Sequence, residues 1–589
     1  MRRLVLVQGR NETPVASLLH ALGVIFTPLS LSEALAVSAE SAAEDSSLII
    51  SEEELASAAG TCGPAILQEL ISRYSRVLVY PFRGSPPSLR ALSECVEGHV
   101  EVILLSPGPD SAYSVRRDAS AAGPFAGLTV GGLNAETDHG LLIRDSPYPV
   151  DHIVSVRDCG LLTRITLPST ELFVICSTAV FDVDVEMVKN LEVRQCFSAL
   201  VPLLFFLRRS EAVLWRSSYP AANVIIDDLN LRPNYGFVNA ERLARHVDEL
   251  RYAVSVAFIP WNCDRTSPKV AELFRCRWPH LSVCVHGCDH VGAEFSTSSL
   301  PASAPMIALS LERMRRLKAT TGLAYDRVMV FPQGKFSGPC MQALRQSQFL
   351  AAVNTELVDD VTHRGVRAAE LLAPAITSHG GFPLFLRRKA VEPLENFALD
   401  LLLGKPCLVV THHDDFKRGM QPLGSLVESL NALSPTLHWT NLEEIVSRTY
   451  SLRSVNATDA EIRLYASMTT LEPQEDDGEI TCSKAEPLAA KDFEVLIGGE
   501  PVKSARDGAD LTFRTMRRAE RAVAEVRISP IASSCLPNYP LSYRTRVTAR
   551  RYLSEIRDNY VSRSSWAAAV VRSTRQVLKR SAGVKVRLP

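Results

Sequence analysis

Short apolar runs alternate with amphipathic stretches along most of the chain, and this pattern predicts strands that alternate with helices. In the N-terminal third the strand candidates are residues 4–7, 47–50, 76–80, 100–105 and 172–176. Strands that alternate with helices favour a doubly wound parallel sheet, so we predict an α/β domain over residues 1–205. No glycine-rich phosphate-binding motif follows the first strand. We therefore expect this domain to be non-catalytic.

The same alternation continues through the middle of the chain. Strands are predicted at residues 253–259, 281–285, 328–331, 351–353 and 407–410, and helices at 240–250, 306–320 and 340–348. A closed or partly closed (β/α) barrel over residues 215–450 is the simplest arrangement, because it brings all the strand ends to one mouth.

Helical periodicity fades after residue 450. A run of apolar residues at 493–497 followed by Gly498 and Gly499 predicts a hairpin, and a small β-sandwich fits residues 451–540. The last segment, 541–589, holds twelve Lys and Arg residues against two acids and carries a net charge of +10. Basic amphipathic helices are expected there at 552–560 and 566–578. Two interpretations stay open: a solvated helical tail packed on the protein, or a contact with a membrane surface or another anionic partner.

Composition limits the classes of function. The hydrophobic content of 46% and the charged content of 22% are typical of a soluble globular protein, and the net charge of −1 predicts no nucleic-acid partner. No apolar stretch is long enough to span a bilayer. The 13 cysteines are scattered without a Cys-x-x-Cys pair, which favours reduced thiols and a cytoplasmic location.

Three polar segments follow predicted strands of the central region. They are Asp227-Asp228, His286-Gly287-Cys288-Asp289-His290 and His412-His413-Asp414. Since α/β enzymes build their sites at the C-terminal ends of strands, we expect these segments at one mouth. Two acids, two histidines at i and i+4, which would share a helix face, and a later histidine suit a divalent metal with a base and an acid nearby. Taken singly, an Asp pair is more typical of a turn or a helix cap, and a His-x-x-x-His spacing also arises by chance.

The order of these segments resembles that of the NodB-like polysaccharide deacetylases of carbohydrate esterase family four. That family has a first motif ending in Asp-Asp, a His-x-x-x-His motif, and a late strand ending in Leu-x-His, over what would be roughly residues 220–415 here. The resemblance implies a (β/α) barrel with one divalent metal, usually zinc. It also implies metal ligation by Asp228, His286 and His290, with Asp227 as the general base and a late histidine as the general acid.

Two motifs of the family are incomplete in this chain. The third, Arg-Pro-Pro-Tyr/Phe-Gly, is present only as Phe-Pro-Gln-Gly before Lys335, so the arginine that would orient the base is missing. The backbone N–H of Gly334 is still expected to face an oxyanion. Arg387 and Arg388 are candidates to replace the arginine, with ordinary surface positions as the alternative. No Asp-x-x-Asp-Trp segment represents the fourth motif, so we expect a divergent member with its own substrate.

Only one of His412 and His413 can enter the pocket from an extended strand end, because successive side chains point to opposite faces. The family pattern of histidine followed by Asp favours His413, which precedes Asp414. The register gives a competing cue: if Leu408 and Val410 face the barrel interior, His412 shares their side. We expect His413 to be the general acid.

These residues together predict a metal-dependent deacetylase-like hydrolase that acts on carbon–nitrogen (amide) bonds. It would remove acyl groups from N-acylated sugars with a metal-activated water, so the expected partner is a carbohydrate substrate. The alternative is a carbohydrate-binding or regulatory protein of polysaccharide or cell-envelope synthesis that has lost turnover, which the missing arginine favours. A third hypothesis is an assembly factor acting through the tail and the N-terminal domain. The sequence indicates neither the sugar, the acyl group nor the oligomeric state.

Overall fold

The computed structural model describes residues 4–9, 12–36, 46–106, 108, 111–217, 219–456, 458–473, 478–487, 493–516, 520–528 and 536–562. Helices and strands alternate through the first two thirds of the chain, and strands dominate from residue 450 to 528. The α/β fold class expected from the apolar pattern is confirmed.

An eleven-stranded sheet forms the N-terminal region. Its strands are β1 (Leu4–Val7), β2 (Phe26–Leu29), β3 (Ser47–Ile50), β4 (Arg76–Val79), β5 (His99–Leu104), β6 (Tyr113–Val115), β7 (Thr129–Val130), β8 (His139–Arg144), β9 (Val150–Val156), β10 (Cys159–Thr166) and β11 (Glu171–Ile175). The first four strands and β11 run parallel in the order β2-β1-β3-β4-β11. Successive side chains of β1 enter two different hydrophobic clusters, so this half of the sheet is buried on both faces.

The helices of this region are α1 (Pro14–Ala21), α2 (Leu31–Ala36), α3 (Glu52–Cys62), α4 (Pro64–Ser72), α5 (Pro86–Val96), α6 (Ala119–Ala122) and α7 (Val193–Arg209). The other half of the sheet is antiparallel, with β10, β9, β6 and β7 extending outward from β11 and the β5–β8 pair attached to β10. Of the strands in this half, the sequence pattern predicted only the one at residues 100–105, which is β5. The other strands mix polar with apolar positions, as in the half-buried pattern of β9, so they lack the continuous apolar runs of β1 and β3.

The central region is a parallel barrel sheet of nine strands. Its strands are β14 (Ala221–Asp227), β17 (Val254–Phe258), β18 (Leu281–His286), β19 (Asp326–Val330), β20 (Ala351–Asn354), β22 (Leu384–Leu386), β23 (Arg388–Lys389), β24 (Cys407–His412) and β25 (His438–Trp439). Strands β22 and β23 are separated only by Arg387. The first pairs with β20 and the second with β24, and β24 pairs with β14, so this one segment closes the barrel.

Helices and short strands surround the barrel. The helices are α8 (Ala240–Leu250), α9 (Pro268–Arg275), α10 (Leu300–Thr321), α11 (Gly338–Arg345), α12 (Leu394–Leu402), α13 (Gln421–Leu433) and α14 (Leu442–Arg448). The short strands are β12 (Glu186–Met187), β13 (Arg216–Ser217), β15 (Asn234–Tyr235), β16 (Val238–Asn239) and β21 (Val366–Arg367). Helix α7 packs on α12, where the N–H of Val193 donates to Asn396 Oδ1 at 3.0 Å. One hydrophobic cluster therefore extends from the N-terminal sheet into the barrel region, and the domain boundaries at 205 and 215 stay predictions.

Side-chain alternation sorts the barrel residues into two sets. Ile225, Ala257, Cys284, Val330 and Phe385 belong to one cluster inside the barrel. Their neighbours one position along each strand belong to the large cluster that packs beneath the helices. Since the period of a strand is two residues, every second side chain up to the strand end points inward.

Two packed sheets follow the barrel. They contain β26 (Tyr450–Ser454), β27 (Ala460–Leu464), β28 (Met468–Leu471), β29 (Glu479–Ala485), β30 (Phe493–Ile497), β31 (Glu500–Pro501), β32 (Ser504–Asp507), β33 (Asp510–Met516) and β34 (Ala522–Ile528). Side chains of both sheets, such as Ile462 and Val495, share one hydrophobic cluster. The hairpin expected at the Gly498-Gly499 turn is present as the antiparallel pair β30–β31.

The chain then enters helix α15 (Leu541–Ile556), which continues into a π-helical turn at Arg557–Val561. This helix begins eleven residues before the predicted 552–560 helix, and the one expected at 566–578 lies outside the described residues. Across the part of the chain that the structure describes, every helix is too short or too polar to traverse a lipid bilayer.

The closure of the barrel by residues 384–389 can be tested at Phe385, which is fully buried inside the barrel. Phe385→Ala should lower the free energy of unfolding by about 3–5 kcal/mol, because it removes apolar contacts and leaves a cavity. Val391→Ala is the control, since Val391 is 86% exposed a few residues later. Urea unfolding of both variants measures the difference, and equal values for the two would contradict the described closure of the barrel.

Candidate metal centre and active site

Four inward positions at the C-terminal ends of barrel strands carry polar side chains. Asp227 ends β14, His286 ends β18 and His412 ends β24, while Arg387 lies between β22 and β23. Asp227 and His412 are direct partners in the parallel register of β14 and β24. The sheet therefore brings residues that are up to 185 positions apart in the sequence to one mouth.

Asp228 is the centre of this group. It follows β14 with a left-handed backbone (φ 65°), which turns its carboxylate towards the two histidines of the β18 segment. Its Oδ1 lies 3.1 Å from His290 Nε2 and 3.5 Å from His286 Nε2, and its Oδ2 lies 3.3 Å from His412 Nε2. Asp228, His286 and His290 thus present three ligand atoms within 4.8 Å of one another.

The orientation of His286 fits a metal ligand. Its Nδ1 lies 3.0 Å from the carbonyl oxygen of Val330, and because a carbonyl only accepts, this nitrogen carries the hydrogen. Nε2 of the neutral ring then has a free lone pair directed at Asp228. A lone pair and a carboxylate oxygen repel each other unless a proton or a cation lies between them, and a backbone acceptor behind the ring is the usual support for a metal-binding histidine.

The charges at the mouth agree with this fit. Burial alone would raise the pKa of Asp228, but the contacts with His286, His290 and His412 hold it well below its usual range. Burial lowers the pKa of His290 to about 4, so its imidazole is neutral and able to ligate near neutral pH. For His286, burial lowers the pKa, but the contact with Asp228 outweighs it and raises the value.

A tight loop, and not a helix, brings His290 back to His286. The expectation that the two residues share a helix face is therefore corrected. The carboxylate of Glu294 accepts hydrogen bonds from the backbone N–H groups of four consecutive residues, 288–291, at 2.8–3.3 Å. Gly287 is required beside it, because a Cβ there would meet Glu294 Oε1 at 2.1 Å. Glu294 was missed in the sequence, which gives no signal for a carboxylate that organises a loop.

Arg387 is the partner of Asp227. Its Nη1 and Nη2 donate to Asp227 Oδ1 and Oδ2 at 2.7 and 2.6 Å, a bidentate pair with a 5% exposed arginine side chain. Arg388 is also buried, but it faces the helices and pairs with Asp400 and Glu392. Of the two candidates from the sequence, Arg387 therefore occupies the position that could replace the missing arginine of the third motif, and neither is a surface residue.

Gly334 does not occupy its expected role. Its backbone N–H donates to the carbonyl of Phe331 at 3.1 Å within a short 3-10 turn, so it is not free to hold an oxyanion in this conformation. Its carbonyl accepts from Asn354 Nδ2 at 2.8 Å. The Phe-Pro-Gln-Gly segment therefore keeps a tight turn, with Gly334 at φ 71°. The hydrogen bonds inside the turn fix the direction of the Gly334 N–H.

His412, and not His413, faces the cluster. The expectation that favoured His413 is therefore corrected. Every second side chain of β24 points into the barrel, and since Leu408 lies inside it, His412 points the same way. His413 begins a 3-10 helix that Asp415 caps, and its Nε2 lies 3.6 Å from Asp558 Oδ2 of the C-terminal helix. The side chain of His413 is 0% exposed against 37% for His412. Burial would lower the pKa of His412, but the contact with Asp228 and the charge of Asp227 raise it.

The C-terminal helix covers one side of the mouth. Tyr543 donates to Asp289 Oδ2 at 3.0 Å, Tyr235 donates to Asp558 Oδ2 at 2.9 Å, and the N–H of Gly236 donates to the side chain of Asn559 at 2.9 Å. The described part of the basic tail is therefore packed on the barrel. The sequence contained a signal for this packing in the spacing of the buried residues Val547, Arg551 and Glu555.

Comparison with known proteins gives matches of structure only. No family model matches the chain, and no curated protein matches it. The crystal structure of Agd3, described as a carbohydrate deacetylase, has 12% identity and a TM-score of 0.48, over 90% of this chain and 99% of that chain. Two shorter structures match a smaller share of the chain. The family 4 carbohydrate esterase from Streptomyces lividans has 8% identity and a TM-score of 0.24, over 37% of this chain and 91% of that chain.

The Bc1960 peptidoglycan N-acetylglucosamine deacetylase has 10% identity and a TM-score of 0.25, over 39% of this chain and 91% of that chain. These matches describe a likeness of overall structure at low sequence identity.

The ligand set predicts one divalent ion per chain. His286→Ala and His290→Ala should each reduce bound zinc to a small fraction of one equivalent, because each removes one of three converging ligands. His280→Ala is the control, since His280 is exposed at the start of the same strand and should not change the metal content. Elemental analysis after dialysis measures this, and full zinc occupancy in either site variant would refute the ligand assignment.

Proposed function

We propose that the protein is a metal-dependent hydrolase that removes acyl groups from N-acylated sugars. The observation that carries this proposal is the carboxylate of Asp228 with three imidazoles converging on it, beside a second carboxylate, Asp227, held by Arg387. The similar structures described as carbohydrate deacetylases agree with a sugar amide as the substrate.

The ligands of the ion in this proposal are Asp228, His286 and His290. A divalent ion bound there, zinc by the family resemblance, would supply a water of lowered pKa and a Lewis acid for the acyl carbonyl. Two imidazoles and one carboxylate leave coordination positions open for these groups.

Asp227 is the proposed general base, which accepts the proton of the attacking water at its carboxylate. The two hydrogen bonds from Arg387 fix the plane of this carboxylate. The carboxylate is therefore already oriented before the substrate binds. His412 is the proposed general acid, which donates a proton to the departing amine. Its Nε2 is 3.3 Å from Asp228, and the partial exposure of its ring leaves room for a substrate, which supports this role.

The alternative of a binding or regulatory protein without turnover rested on the missing arginine of the third motif. The Arg387–Asp227 pair supplies an equivalent contact from another strand and removes that reason. The cytoplasmic location and the nature of other partners stay predictions.

Removal of the proposed base gives the first test of activity. Asp227→Asn should keep the zinc content and lower the rate of acetate release from N-acetylglucosamine oligomers by about two to four orders of magnitude. Asp264→Asn is the matched control, because the Asp264 side chain is 61% exposed outside the cluster. A metal-loaded Asp227→Asn protein with near-normal turnover would exclude Asp227 as the base.

A second test separates the adjacent histidines. His412→Ala should lower kcat at least tenfold more than His413→Ala does, because only His412 reaches the cluster. The two rates are compared on one acetylated substrate, together with the thermal midpoint of each variant. His413 is fully buried, so its replacement should mainly lower the midpoint. A larger loss of kcat at His413 in a stable protein would restore it as the acid.

A further inference from the structure

One buried cation of helix α15 has no partner of its own. Arg551 is 6% exposed, and among the described residues it makes no hydrogen bond or ion pair. The acids on the same face of the helix are already bound: Glu555 pairs with Arg265 at 2.5 Å, and Asp558 pairs with Arg557 at 2.6 Å. The N–H donors of Arg551 are therefore free to bind an anion.

The contacts of α15 locate Arg551 at the mouth of the barrel. Positions 543, 547, 551, 555 and 558 lie on one face of the helix, at spacings of three and four residues. Tyr543, at one end of this face, bonds to the residue before His290, and Asp558, at the other, bonds to Tyr235 in the loop after β14. Arg551 is midway between these two anchors.

We propose that Arg551 is an anion-binding residue of the active site and recognises a carboxylate held beside the metal position; this rests on the proposed function. Hydrolysis of an acetamide by water gives an amine and acetate, so each turnover forms a carboxylate at this place. An acidic sugar next to the acetylated one would bring the same chemical group as part of the substrate. A guanidinium suits both, because its fork of N–H donors matches the two oxygens of a carboxylate.

The test measures binding instead of turnover. Zinc-loaded wild type, Arg551→Met and Arg551→Lys are titrated by calorimetry with sodium acetate, with a neutral N-acetylated oligosaccharide and with an oligosaccharide that contains a uronic acid. Arg550→Met is the matched control. Arg550 is the exposed neighbour on the same helix, and its replacement by methionine removes the same positive charge. Thermal midpoints check that each variant is folded. Arg551→Lys keeps the charge and lacks the fork, so it serves if the methionine variant is unstable.

Arg551→Met should weaken the binding of acetate, of the uronic acid oligosaccharide, or of both by about tenfold or more, the usual effect of losing a charge-assisted pair. A loss confined to the acidic sugar identifies the substrate as the source of the carboxylate, and a loss for acetate identifies the product. Binding of the neutral oligosaccharide should stay within about twofold of wild type.

Equal affinities of wild type and both Arg551 variants for every carboxylate would overturn the proposal. An equal loss in Arg550→Met would also overturn it, because the effect would then come from the overall charge of the helix. The outcome is independent of turnover: a protein that binds carboxylates through Arg551 but releases no acetate from any N-acetylated sugar refutes the proposed function and leaves the anion site standing.

Discussion

The strand segment 384–389 joins the two edges of the barrel sheet, and Arg387 at its centre donates two hydrogen bonds to Asp227 on β14. This ion pair crosses the mouth between strands that are not neighbours, so it exists only when the barrel is closed. A buried carboxylate and a buried guanidinium are costly when separated, and each therefore constrains the other. The position of Asp227, and with it the turn that carries Asp228, depends on this closure.

The remaining groups of the site follow from the same frame. Strand parity turns His286 and His412 inward, and the turn after β14 and the loop after β18 add Asp228 and His290. The loop itself is held by one carboxylate, Glu294, which binds four backbone N–H groups. The centre is thus built on rigid strand ends and one capped loop, the kind of support that keeps ligand geometry within narrow limits.

The C-terminal helix adds groups that the barrel lacks. Its hydrogen bonds to Asp289, Tyr235 and Gly236 join it to the loops after β14 and β18. The described part of the basic tail is thus packed on the barrel and forms one side of the mouth.

The strands with continuous apolar runs could be predicted from the sequence, and so could the residues of the centre, because short strands with polar ends are local patterns. The parity of Leu408 and Val410 also contained the information that His412 faces inward. Other features depend on contacts between distant segments. In the segment that closes the barrel, three residues pair with β20 and two residues pair with β24. Such short strands form no apolar run that a sequence pattern could reveal. Arg387 is 160 positions from Asp227, and Tyr543 is 254 from Asp289.

The sequence by itself determined which chemistry is present at the strand ends, because that depends on residue type and spacing. Only the tertiary structure decided which arginine meets Asp227, which histidine faces the cluster and what covers the mouth, because those contacts exist only once the barrel is closed and the helix is packed on it.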